Sequence, residues 1–97
     1  MNIKWEGAIQ MKITLKEQEC IGNSSFSGQI VYTRAFRETF REKTTEIILA
    51  SMGLILNRVN TIGADYLQVL TAETDNGEIK FWVISDEITT FLLPSDY

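Results

Sequence analysis

The chain has 97 residues, 44% of them hydrophobic, with 9 basic and 13 acidic side chains, one proline, one cysteine and no histidine. That length suits one domain over 1–97, because two separate cores would each be very small. A single cysteine, Cys20, excludes an internal disulfide, and the missing histidines remove most of the usual acid–base and zinc chemistry.

Charge is distributed unevenly. Residues 1–33 are neutral overall, 34–58 carry a net +2, and 59–97 carry a net −6. The acidic excess disfavours a dedicated nucleic-acid binder, since phosphate binding wants a basic field. The longest apolar run, 47–56, spans about 15 Å as a helix, half of a bilayer core, so no membrane span is expected. No secretory signal is visible, and with one cysteine the reading favours the cytoplasm.

In chain order, residues 1–10 show no clear period and are read as a tail or an extra edge strand. From Met11 to Leu15 apolar and polar residues alternate, the pattern of a half-buried strand. A Gly/Ser/Asn-rich loop over 21–28 follows, and 29–33 form a second strand completing an N-terminal hairpin. Phe36, Phe40, Ile47 and Leu54 then recur at helical spacing, predicting one continuous helix from Arg34 to Arg58. Thr33 is its natural cap. Gly53 either sits inside this helix or ends it, and the continuous helix is preferred because 57–63 supply an exit. Gly63 is expected in the left-handed conformation there. Strands at 66–72 and 79–84 flank Asp75-Asn76-Gly77-Glu78, where Asn-Gly favours a type I′ hairpin. A last strand covers 88–93, before Pro94. The fold expected is α+β, a mainly antiparallel sheet of ββαβββ order with one long helix on one face.

Two surfaces emerge as candidate sites. Arg34, Arg37 and Arg41 fall within about two helical turns, interleaved with Phe36 and Phe40, and suit an anion or an acidic partner. The plain alternative is a solvated helix face, since Glu38, Glu42 and Glu46 share the segment. If Ile79, Phe81 and Val83 face the helix, Lys80, Trp82 and Ile84 face the other way. Trp82, Tyr66, Gln68, Leu70 and Lys80 are then read as a protein interface. The competing reading is cover from within the chain, such as Trp5 on Trp82.

No cofactor or metal is expected. Counting back from Gly77 as the glycine of a calcium loop places Ala72 and Thr74 at two positions that would need ligands. Cys20 has no histidine to activate it, and no carboxylate pair is distinctive enough for acid and base roles. The function expected is a non-catalytic protein-interaction or regulatory module, binding another protein or a second copy. A small nucleic-acid-binding module using the three arginines and a small-molecule-binding protein are the alternatives.

Overall fold

The computed structural model describes residues 12–97. Among them, β1 (Lys12–Leu15), β2 (Ile30–Tyr32), α1 (Arg34–Phe40), α2 (Thr44–Thr61), β3 (Leu67–Thr74), β4 (Gly77–Ser85) and β5 (Thr89–Leu92) follow one another. Short 3-10 turns at Arg41–Lys43 and Pro94–Asp96 complete the order. The chain is a single α+β domain with its helical layer on one face of a five-stranded sheet. Residues 1–10, read from sequence as a tail or edge strand, lie outside the described residues, as does the Trp5 cover of Trp82.

The strand order is β1-β3-β4-β5-β2. All neighbours are antiparallel except β2, which runs parallel to β5 with Ile30 opposite Thr89 and Tyr32 opposite Phe91. The expected N-terminal hairpin is therefore absent. β1 and β2 occupy opposite edges, separated by the β3–β4–β5 meander. Each edge strand is held to its neighbour by a few paired positions, whereas β3 and β4 pair along eight, from Leu67–Ile84 to Thr74–Gly77.

The turn between β3 and β4 also differs from expectation. Asp75 and Asn76 keep negative φ, and Gly77 alone is left-handed, at φ 107°. Thr74 Oγ1 accepts from Asn76 N at 3.1 Å and donates to Gly77 O at 2.9 Å. That side chain supports the turn locally, so the doubly left-handed I′ geometry is not needed.

The helix is broken rather than continuous. Arg41 leaves helical conformation at φ 48°, ψ −121°, and Thr44 Oγ1 takes up the Arg41 carbonyl at 2.7 Å. Length supplies a physical reason: residues 34–61 as one straight helix would reach about 42 Å, against about 30 Å for the nine residues of β4. Bending keeps both halves on the sheet. Gly53 lies inside α2, as the preferred reading had it. The break also changes the apolar phase, because the buried stripe of α2 is Thr44, Ile47, Ile48, Ser51, Met52 and Ile55. Leu54, expected on the core face, is instead partly exposed at its margin.

Phenylalanines build the centre of the core. The Phe36 ring lies 4.8 Å from Phe40, 5.4 Å from Phe81 and 5.5 Å from Phe91, with tilted or edge-on geometry. Each such pair adds about 0.5–1.5 kcal/mol beyond the area it buries. Phe36 is aimed inward by its cap: Thr33 Oγ1 accepts from Phe36 N at 3.2 Å and donates to Asp96 Oδ2 at 2.7 Å. Asp96 Oδ2 also accepts from Leu93 N at 3.0 Å. One carboxylate thus joins the start of α1 to the end of β5.

Residues 16–29 carry the chain from one sheet edge to the other across the exit of α2. Gly63, left-handed at φ 94° as expected, admits this crossing, since a Cβ there would sit 2.5 Å from Gly22 O. Further along, Phe26 enters the core at φ 51°, its N–H donating to Ser85 Oγ at 3.1 Å.

Candidate functional site

Strand parity divides the sheet into two faces. Gln68, Leu70, Ala72, Phe81, Val83 and Phe91 point to the helices and are fully or almost fully buried. The opposite face carries two cross-strand apolar rows. In one, Val69 opposes Trp82 and Trp82 opposes Leu92. In the next, Leu67, Ile84, Thr90 and Val31 follow one another across four strands. Tyr97, 79% exposed, meets the Trp82 ring edge-on at 5.5 Å. Charge lies at one end, where Lys80 is exposed beside Thr71 and the Lys12–Glu73–Glu78 row closes the face, and at the β1 edge, where exposed Lys16 donates its N–H to Val69 O at 2.9 Å.

This register confirms the placement of Trp82 and Lys80 on the outer face and corrects that of their expected companions. Leu70 pairs with Phe81 and Gln68 with Val83, so both lie on the helix side, buried in the core. Tyr66 precedes β3, and its carbonyl accepts from Ser85 N at 2.9 Å. It has the parity of Gln68 rather than of Trp82, although its side chain is 51% exposed. The outer-face partners of Trp82 that sequence reading missed are Val69, Leu92 and Tyr97. Counting outward from the Asn-Gly turn in steps of two would have found Val69; nothing local marks Tyr97.

Gln68 instead belongs to a buried polar chain. Its Oε1 accepts from Arg58 Nη1 at 2.6 Å, and its Nε2 donates to Gln18 Oε1 at 2.8 Å and to Asp65 O at 2.9 Å. Gln18 in turn accepts from Asp65 N at 2.9 Å and donates to Gly63 O at 2.8 Å. Every amide atom of the two glutamines is used. Such satisfaction is what burial of polar groups requires, and it makes this cluster a structural joint.

The arginine patch is only partly assembled. Arg34 and Arg37 lie one turn apart on the exposed side of α1, while Arg41 sits at the helix break. Arg41 lines a groove of about 290 Å³ between the break and the β3–β4 turn; Arg34 and Arg37 do not. Glu42, Glu73 and Asp75 line it too, with Phe40 and Ile79 supplying apolar wall. Mixed charge of this kind does not make a phosphate cradle, which needs converging donors. Among the described residues no group of three or more Cys, Asp or Glu side chains is placed to hold a metal ion. No helix among them is long and apolar enough to cross a membrane.

A second apolar surface lies on the outer side of α2. Leu49 is 67% exposed and Leu56 38%, with Ala50 and Gly53 exposed between them. No family model, no curated protein and no solved structure matches this chain.

Proposed function

We propose that this chain is a non-catalytic protein-interaction module that docks a partner protein on the outer face of its sheet. The observation that carries the reading is the paired apolar rows, Val69–Trp82–Leu92 beside Leu67–Ile84–Thr90–Val31, on the side of the sheet away from the helices. Antiparallel sheets commonly present a polar second face to water; an apolar one centred on tryptophan is the composition of an interface core. The charged residues at one end of this face, Lys12, Glu73, Glu78 and Lys80, suit a polar rim. A cytoplasmic setting accords with the unpaired Cys20.

The test compares immobilised wild-type chain with Trp82→Ala and Val69→Lys, each first shown to be folded by circular dichroism. The reading expects a protein retained from native extract by the wild type and lost from both variants. Retention of the same proteins by all three would overturn it. Salt-sensitive binding of oligonucleotides, lost on replacing Arg34 and Arg37, would instead favour the nucleic-acid alternative.

A further inference from the structure

We propose that α2 pairs with α2 of a second copy of this chain, antiparallel, about a two-fold axis passing beside Gly53. The surface is distinct from the outer sheet face, and the inference does not depend on the function proposed above.

Three observations carry it. The first is position: at 100° per residue Gly53 lies at the middle of the solvent side of α2, opposite the buried Ser51 and Ile55. Among the described residues, nothing lies within 4 Å of where its Cβ would stand. A second helix can therefore approach to the close end of the usual 8–10 Å range.

The second observation is charge. From Ile47 to Asn57 the helix carries no charged residue. Two copies of a chain with net charge −4 repel at long range, so a neutral stripe is where self-association costs least. The flanking Glu46 is already paired with Lys43 at 3.7 Å, and Arg58 is turned inward to Gln68 and the Lys16 carbonyl.

The third is self-complementarity. In an antiparallel two-fold pair, residues about equally far on either side of the axis come level with one another, and those near the seam or on the same flank of it touch. About Gly53, the Glu46 carboxylate comes level with the Asn60 amide near the seam, Leu56 lies against Leu49 of the second copy on one flank, and Ala50 lies along its Asn57 on the other. Leucine faces leucine on one flank, and acceptor faces donor at the seam. The antiparallel arrangement also sets the two helix dipoles head to tail.

The stripe is narrow for a permanent interface, which normally buries about 800 Å² per partner, so the dimer is expected to be concentration-dependent. Sedimentation equilibrium of the full chain should show a monomer–dimer equilibrium below about 1 mM. Leu56→Glu, at a partly exposed site, should weaken dimerisation about tenfold or more, whereas Trp82→Ala should leave it unchanged. In a Cys20→Ser background, Gly53→Cys should form a disulfide-linked dimer on mild oxidation. Asn57→Cys should not, because in this geometry its mate lies about 12 Å away along the axis, beyond disulfide reach. A chain that stays monomeric, a dimer indifferent to Leu56→Glu, or equal cross-linking at 53 and 57 would each overturn the proposal.

Discussion

Gln68 donates to Gln18 at 2.8 Å across fifty positions of sequence, tying a core strand to the loop that crosses the sheet edge. Gln68→Leu would remove the buried amide that joins Arg58 to Gln18 and free the Asp65 carbonyl, leaving Arg58 only Lys16 O and Gln18 only its loop contacts, and should lower stability by about 2–3 kcal/mol in urea unfolding. Gln18→Ala should cost about 2 kcal/mol by freeing the loop from Gly63 and Asp65. The double variant should lose about 1 kcal/mol less than the two added together. Strict additivity would mean that the two amides act independently.

Arg41 holds φ 48°, ψ −121°, a region that side chains rarely occupy. Arg41→Gly should hold or raise stability, by up to about 1 kcal/mol, because relief of strain offsets the greater freedom of the unfolded chain. A clear loss in thermal unfolding would show that the Arg41 side chain contributes more than its backbone costs.

Gly53 is exposed inside α2, and no described residue comes within 4 Å of its Cβ position. Gly53→Ala should therefore stabilise the monomer by about 0.5–1 kcal/mol, read from urea unfolding at low protein concentration.

Ser51 Oγ is a buried side-chain polar atom with no hydrogen-bond partner among the described residues. Ser51→Ala removes that desolvated hydroxyl and improves helix propensity, so a gain of about 1 kcal/mol is expected. A loss would indicate that the hydroxyl is satisfied in solution.

Thr33 and Asp96 make one joint between α1 and the C-terminal turn. Thr33→Ala should cost about 1–2 kcal/mol, and Thr33→Ser should recover most of it, since the hydroxyl is the working group. Differential scanning calorimetry of the two variants separates capping from methyl packing.

Local pattern carried much of this architecture. Alternation at Ile79, Phe81 and Val83 placed the core side of β4 correctly, and it placed Trp82 outside. Phe36 and Phe40 announced the first helical turns, and Gly63 the exit. What failed was long-range or geometric. Nothing in residues 12–32 states that β1 and β2 part to opposite edges, because that choice depends on the loop contacts of Gln18 and Phe26 with segments far away in sequence. The break at Arg41 carries neither Pro nor Gly; it answers to the length of the sheet. Gln68 and Leu70 were misplaced because the face of β3 was chosen without its register to β4. The Thr74–Gly77 end of the hairpin settles that register.

The split of β1 and β2 also governs when the sheet can be completed. Lys12 pairs with Glu73 and Ile30 with Thr89, so roughly 60 residues of chain must follow each N-terminal strand before its neighbour exists. At about 5–20 residues per second that is an interval of about 3–12 s during synthesis. Throughout it, the first third of the chain has no sheet to join. The meander, whose pairs are local, forms its own ladder as soon as it is made, and both early strands then dock on it from opposite sides. Such an order leaves two short strand edges open to other chains for seconds, and the lysines of β1 and its flank, Lys12 and Lys16, stand where an edge needs charge to refuse them.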